Sequence, residues 1–315
     1  MSSFSVLVLM STYNGDKYIR EQLDSILNQE GVDVYLLVRD DGSQDSTCEI
    51  LSEYSSNYAN VDWISGDNVG FVKSFSALVR MALDYEIIPD FYAFADQDDI
   101  WFPEKLKTSC LALNPKDSTK PLLFSCNSMR IDTNGNKIGL FHEGAYPAYQ
   151  RGNVLVFGTE QGCSMTCNRK AAEIYAACEP QIAWHDKWMY LICYFLGDLI
   201  YEHRPLFYYR IHGGNALARE QKKSNPSKGC RLYNAIRFYL FSPPITNHLE
   251  MAREFFECFE GNLSVSDRKI FRSYISYRYN IYSKIYLLCS KKFQHPFPGT
   301  YEDFPYRRFI FFNLL

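Results

Sequence analysis

The chain has no long hydrophobic run. Its longest apolar stretches, such as Phe4–Met10 and Phe309–Phe312, fall far short of the roughly 18 residues a membrane-crossing helix needs. An export signal is also missing: no basic segment precedes Phe4–Met10, and polar Ser11, Thr12 and Asn14 follow it at once. The ten cysteines include no CxxC pair, which argues against a zinc ribbon or a disulfide framework and for reduced thiols in a cytoplasmic protein. No GxGxxG follows an early strand-like run, and no GxxxxGK precedes Ser or Thr, so a dinucleotide fold and a P-loop enzyme are both disfavoured. Charge of a single sign is lacking as well. With 33 Lys and Arg against 36 Asp and Glu, a nucleic-acid footprint over the whole chain is excluded.

What is present is an ordinary globular composition, 47% hydrophobic and 22% charged over 315 residues, enough for one large domain or two smaller ones. The net charge of −3 is unevenly spread. From Lys228 onward there are 13 basic and 7 acidic residues, leaving 20 basic and 29 acidic before it. The basic part is also rich in Tyr and Phe, the composition of a helical subdomain whose rings pack while their hydroxyls stay wet.

The first hundred residues alternate between two hydrophobic periods. Short apolar runs at 4–10, 33–39, 61–65 and 91–95 have strand length. Between them, Ile19, Leu23, Ile26 and Leu27, then residues 46–54, then Phe71, Phe75, Leu78, Val79 and Ala82 recur at helical spacing. Ser43 or Asp45 is placed to cap the second helix. Such alternation implies βαβ units and a mainly parallel sheet with helices on both faces. Further on, the expectations are a helix from Pro103 through Leu113, a strand over Leu122–Ile131 and a turn at Thr133–Asn136. A loop over 139–153, an extended segment over 155–168, a helix over Ala183–Phe195 and a strand or hairpin over Leu199–Arg210 follow. A polar linker at 218–228 sets a domain boundary near 225, giving an α/β catalytic domain over 1–225 and a helical, aromatic-rich region over 226–315.

In an open parallel sheet, ligands bind outside the carboxyl ends of the strands. Here those ends carry Ser11, Thr12, Tyr13 and Asn14; Asp40, Asp41, Gly42 and Ser43; Gly66, Asp67 and Asn68; and Asp96, Gln97, Asp98 and Asp99. Six carboxylates thus converge on one edge. An Asp-Gly-Ser after a strand is by itself an ordinary turn and cap. Three Asp in four residues are different, because like charges repel unless a cation or donors compensate them. Mg²⁺ or Mn²⁺ shared with a substrate diphosphate would supply that compensation.

The runs VLMSTYNGDKYIREQLDSIL, VRDDGSQDST, GDNVGF and FADQDDIWFPEKL resemble family 2 glycosyltransferases of the GT-A fold, in particular bacterial rhamnosyltransferase-like members, over roughly residues 4–215. The resemblance implies a nucleotide-sugar donor, an inverting transfer and a divalent cation. Matched by position, it assigns Thr12, Tyr13, Asp67, Asn68, Lys73 and Asp96 to the donor nucleotide and Asp40 or Asp41 to its base. It assigns Asp98, Asp99 and His212, the last within Tyr209-Arg210-Ile211-His212-Gly213-Gly214-Asn215, to the metal. Trp184-His185-Asp186 matches the segment of the catalytic carboxylate; His stands where the family often has Glu, so Asp186 alone is the candidate base, the competing role being a helix cap. Gly162 and Cys163 match a loop facing the acceptor, with Trp184 and His185 on the same side.

The function implied is transfer of a sugar, rhamnose first, from a dTDP or UDP donor to a hydroxyl of a glycan or lipid-linked glycan in surface polysaccharide synthesis. The cytoplasmic protein would meet the inner membrane face peripherally. Arg307-Arg308 beside Phe309–Phe312 suits an anionic membrane surface, although a tail helix packed on the protein has the same composition. Two rivals are a nucleotidyltransferase and a non-catalytic sugar-nucleotide-binding protein. The first wants a Gly-rich loop with Arg and Lys after the first strand, where this chain has STYNGDKYI; the intact acidic cluster argues against the second.

Overall fold

The computed structural model describes residues 3–144, 146, 149–157, 160–181, 184–213 and 246–294. The chain divides into two units, one of residues 1–145, 159–179 and 184–210, the other of 146–158, 180–183 and 211–315. The boundary expected near 225, the linker at 218–228 and the basic–aromatic tail at 307–312 lie outside the described residues.

The first unit is built on one sheet. Strands β1 (Phe4–Thr12), β2 (Val32–Asp40), β3 (Val61–Ser65) and β4 (Phe91–Ala95) are all parallel, with Thr12 beside Asp40 and Asp40 beside Ser65. Val6 through Met10 are wholly buried, as a parallel strand covered on both faces requires. Helices α1 (Ile19–Leu27), α2 (Thr47–Asn57) and α3 (Phe71–Leu83) connect the strands. α1 and α3 bury the apolar stripes read from the sequence: Ile19, Leu23 and Ile26; Phe75, Leu78, Val79 and Ala82. Neither expected residue holds the cap position of α2, which belongs to Ser46 and makes no side-chain capping bond; Asp45, just before it, accepts from Thr47 N at 3.0 Å.

Beyond β4 the sheet becomes mixed. It continues through β5 (Ile100–Trp101), β6 (Leu122–Ile131), β7 (Lys137–Leu140), β8 (Thr166–Asn168) and β9 (Asp198–Arg210) in the order β3-β2-β1-β4-β8-β6-β9-β5, with β7 on β6. β6 and β9 are parallel, whereas β8 runs antiparallel to both β4 and β6. Helices α4 (Lys105–Leu113), α6 (Arg169–Ala177) and α7 (His185–Leu196) complete this unit.

Other expectations from the sequence need correction. Pro103 precedes α4 by two residues, its carbonyl accepting from Glu30 N at 2.8 Å. Residues 155–168 are not one extended segment: α5 (Val154–Phe157) and a 3₁₀ turn (Gly162–Ser164) precede the three-residue β8. Helix α6 went unread because its cap, Asn168, is also the end of β8; the Asn168 side chain accepts from Ala171 N at 3.1 Å and Leu122 N at 2.9 Å. Cys48, Cys110, Cys126, Cys163, Cys167, Cys193 and Cys289 are free thiols as expected. Cys178 and Cys258 are disulfide-bonded instead, which irregular spacing could not disclose because pairing depends on Cα separation in the fold.

The second unit is helical where described, with α5, α8 (Thr246–Phe259), α9 (Val265–Ser276) and α10 (Ile281–Cys289). Its core is aromatic: Phe255 stacks on Phe271 at 5.4 Å and Tyr274 on Phe293 at 6.1 Å. Ser264 and Asn280 cap α9 and α10 with their side-chain oxygens. No helix among the described residues is long and apolar enough to cross a membrane.

Candidate active site

The carboxyl ends of β1, β2 and β4 are tied together by side chains. Gln97 accepts from Thr12 Oγ1 at 2.5 Å and Tyr13 N at 2.8 Å, and donates back to the Tyr13 carbonyl at 3.1 Å. A Cβ on Gly15 would lie 2.4 Å from Gln97 Oε1, so the bare backbone there is what lets the Gln97 amide sit against this turn.

Asp40 is fully buried and accepts from Gly42 N, Ser43 N and Ser43 Oγ at 3.1, 2.9 and 2.5 Å. Asp41 accepts from Val69 N at 3.0 Å and Gly70 N at 2.8 Å, and pairs with Arg39. Arg39 also donates to Ser74 Oγ at 3.1 Å and to the Asp67 carbonyl at 3.0 Å. Both aspartates therefore hold the loops of the site. Asp41 Oδ2 keeps acceptor capacity beyond its bond to Gly70, since a carboxylate oxygen has two lone pairs. Tyr13, Asp67, Asn68 and Lys73 are exposed along the rim of the same strand ends.

The acidic cluster lies at the end of β4. Asp96, Asp99 and Cys163 offer ligand atoms within 4.8 Å of one another. Asp99 is wholly buried; its Oδ1 accepts the Arg210 backbone N–H at 3.3 Å, the Cys163 thiol bears on the same carboxyl, and among the described residues Oδ2 has no hydrogen-bond partner. Burial and then the neighbouring charge of Asp98 push Asp96 up to about 7; the same two causes, then Asp96, hold Asp99 well above the usual carboxylate range. Asp98, expected as a metal ligand, stands outside the trio, but its charge bears on Asp96 and Asp99. Its peptide carbonyl accepts from Arg210 Nε at 3.0 Å. Cys163 remains a thiol, its ionisation opposed by burial and by Asp99 and Asp96. A buried carboxylate oxygen without a donor, among like charges, is the surrounding a hard divalent cation satisfies.

The 3₁₀ turn that carries Cys163 against this cluster also touches the start of α7. A Cβ on Gly162 would meet His185 Nε2 at 2.7 Å and Asp186 Cβ at 3.5 Å. His185 lies flat against Phe75, ring centroids 3.9 Å apart, with Phe71 and Phe94 edge-on or tilted around it. Among the described residues neither ring nitrogen has a partner, and burial lowers its pKa to about 3, so it is neutral. Trp184 meets Phe71 edge-on at 5.6 Å. Asp186 sits in the first turn of α7 and accepts from Lys187 N at 2.6 Å. The cap position belongs to Trp184, which makes no capping bond. Burial raises Asp186 to about 6 and lowers Lys187 to about 7. Glu160, buried and 3.3 Å from His142 Nε2, adds its charge to the rise at Asp186.

Sequence reasoning gave no role to Gln97, Arg39 or Arg210. Arg210 binds Asp99 and Asp98 as above, pairs with Glu21 at 2.5 Å and covers the Tyr18 ring at 4.6 Å. A charge closing the apolar strand DVYLLVR was the one available signal for Arg39. His212 belongs to the second unit and is half-buried; Gly214 and Asn215 of its motif lie outside the described residues.

Comparison with known proteins adds sequence and fold relations. The model of the family described as glycosyl transferase family 2 matches residues 7–168. The chain is 36% identical over 108 residues to dTDP-rhamnosyl transferase RfbG of Shigella flexneri, spanning 33% of this chain and 37% of that one. It is 26% identical over 244 residues to the uncharacterized glycosyltransferase alr2836 of Nostoc sp., 73% of each chain. The match thus spans about a third of the length of the first relative and about three quarters of the second. The crystal structure of S. aureus TarS 1–349 in complex with UDP-GlcNAc superposes with a TM-score of 0.53 at 16% identity, covering 97% of this chain and 90% of that one. At that identity the likeness shows a shared fold.

Proposed function

The chain belongs to glycosyl transferase family 2, and from that premise we propose that it moves a sugar from a nucleoside-diphosphate donor to an acceptor hydroxyl, with Asp186 as the base. The observation that carries this reading is the Gly162–Ser164 turn, which brings the acidic cluster and Asp186 against the same three residues. In the proposed step the acceptor O–H gives its proton to the Asp186 carboxylate. The acceptor oxygen bonds to the anomeric carbon, and the bond from that carbon to the diphosphate oxygen breaks with the electron pair leaving on phosphate. A single displacement of this kind inverts the anomeric centre. Asp96, Asp98 and Asp99 would hold Mg²⁺ or Mn²⁺, which as a Lewis acid neutralises charge on the leaving diphosphate. Thr12, Tyr13, Asp67, Asn68 and Lys73 would surround the nucleotide.

For recognition of the donor's nucleobase, Asp41 is preferred to Asp40, whose two oxygens are engaged by five donors, the Cys48 thiol and the Ser65 hydroxyl included. A carboxylate acceptor suits the imide N–H of thymine or uracil. A dTDP-rhamnose donor is supported by the relation to RfbG, and a surface glycan or lipid-linked glycan is the acceptor class the family resemblance suggests. Gly162, Cys163, Trp184 and His185 would line the acceptor side. The test is a nucleotide and sugar-nucleotide screen read by thermal shift, with and without Mg²⁺ or Mn²⁺. UDP or dTDP should stabilise the protein more than ADP or CDP, and only with the cation. Equal shifts from all four would sink the base assignment, and no metal dependence would sink the metal.

A further inference from the structure

Outside the candidate site, charge of one sign is most concentrated in the second unit. Between Leu263 and Lys292 there are seven Lys and Arg against one acid, Asp267. That acid is buried, accepting from Ser264 Oγ at 2.7 Å and facing Arg151 at 3.4 Å. Three of the cations, Arg268, Lys269 and Arg272, follow at i, i+1 and i+4 on α9 and line a groove of about 580 Å³ whose other side carries Asn280 and Ser283. Among the described residues only Arg272 of the three has an acidic partner, Glu260 at 2.5 Å, and its side chain stays 66% exposed. Like charges one turn apart weaken a helix, so a wall with this surplus of positive charge is one that an anion completes.

The rest of the lining is mostly hydroxyl and amide. Ser276 donates to the Arg272 carbonyl at 2.7 Å, so in the 2.9 Å bond between Ser276 and Ser283 it is Ser283 that donates. Both hydroxyls thus keep lone pairs for an incoming O–H. Asn280 uses its side-chain oxygen to cap α10, accepting from Tyr282 N and Ser283 N at 2.9 and 3.2 Å, which leaves its amide N–H groups to donate. No aromatic ring lines the groove among the described residues. Single-stranded nucleic acid wants rings on which its bases stack, whereas a chain of acidic sugars wants cations for its carboxylates and small polar groups for its hydroxyls. Arg268 and Arg272 stand about 6 Å apart along the helix axis, a spacing suited to one carboxylate on each of two successive sugars.

We propose that this groove of the second unit binds a linear acidic glycan, with Arg268, Lys269 and Arg272 on its carboxylates and Ser276, Asn280 and Ser283 on its hydroxyls. A guanidinium fork meets a planar carboxylate through two parallel N–H···O bonds, so the arginines fix the register of the chain and Lys269 adds charge. Binding here needs neither a donor nucleotide nor a divalent cation, so its failure would leave the proposed transfer untouched, and failure of that transfer would leave the groove standing.

The test is calorimetric titration of the full chain, without nucleotide, with an oligogalacturonate and with a neutral malto-oligosaccharide of equal length. The acidic chain is expected to bind and the neutral one not, with affinity falling as salt rises. Arg268→Gln should weaken binding about tenfold, the order of one charged hydrogen-bonded contact, and Arg268→Lys, which keeps the charge and loses the fork, should recover part of it. The triple change Arg268→Gln, Lys269→Gln and Arg272→Gln should abolish binding; these side chains reach solvent, so an unchanged melting temperature will show that the fold persists. Lys116→Gln with Lys120→Gln and Lys170→Gln removes the same charge from exposed positions of the first unit and should leave binding unchanged. No binding of the acidic chain, equal affinity for the neutral one, tighter binding of oligouridylate, or equal losses from the two triple variants overturns the proposal.

Discussion

Asp186 and Lys187 are adjacent, and burial moves them in opposite directions, the acid to about 6 and the amine to about 7. A base must be ionised to accept a proton, so kcat/KM is expected to rise as pH climbs through about 6. Asp186→Asn should lower transfer by roughly 10²–10⁴-fold and flatten that limb, with donor affinity unchanged. Its stability carries the opposite sign. The folded pKa lies above the ordinary 3.8, so the native state holds the proton more tightly than the unfolded chain. The Asp186 contribution is full below that value and declines as pH rises to about 6. The Asn variant should therefore melt no lower than the parent at neutral pH, which separates lost chemistry from lost fold. Asp99→Asn makes a similar pair of expectations. The fold disfavours the ionised form of Asp99 that the unfolded chain adopts at neutral pH, so the Asn variant should raise the melting temperature there without metal and abolish the shift that Mg²⁺ or Mn²⁺ produces; an unchanged metal response would remove Asp99 from the ligand set. At this scale the sequence made the acids visible and hid their neighbours. Nothing in the spacing of Asp40 and Asp41 shows that backbone amides occupy them, those of Gly42 and Ser43 for Asp40 and those of Val69 and Gly70 for Asp41.

Among the elements, the glycines at contacts are the most exacting. Gly197 links α7 to β9, and a Cβ there would lie 1.8 Å from the Pro121 carbonyl oxygen. Gly197→Ala is expected to destabilise the protein by ~3 kcal/mol or more, measurable as a fall in the denaturant midpoint. Gly162→Ala should act on function more than on stability. Its Cβ would press on His185 and shift the turn off the start of α7, lowering transfer while leaving nucleotide-induced stabilisation in place. Equal losses of both would show that the turn serves the donor side too. The regular parts of the fold were legible because each strand of the first four is a short apolar run and each helix between them keeps one buried stripe. The irregular part was not. Residues 154–168 pass through a helical turn, a 3₁₀ turn and a three-residue strand, each too short to establish a period, and their form is set by contacts made far away in sequence.

For the whole molecule, the uneven charge first seen in the sequence corresponds to a division of labour between units. The acids gather at the strand ends of the first unit, and the described part of the second carries exposed cations. Donor binding should appear as a global stability change: at a nucleotide concentration about 100 times Kd the expected gain is ~2.7 kcal/mol, read as a melting shift that needs the divalent cation. The strand order has a further consequence, in time rather than space. Asp98 and Asp99 leave the ribosome early, but Arg210, whose backbone and guanidinium hold them, arrives more than a hundred residues later, as does β9, the partner of β5. During synthesis, β1 to β4 can pair as soon as they emerge, since domains form from the N-terminus onward. The acidic pair then waits without its clamp until the chain has passed residue 210. A nascent chain halted before that point carries the nucleotide-facing strand ends but an unfinished catalytic centre, so competence arrives only with the last strand of the sheet.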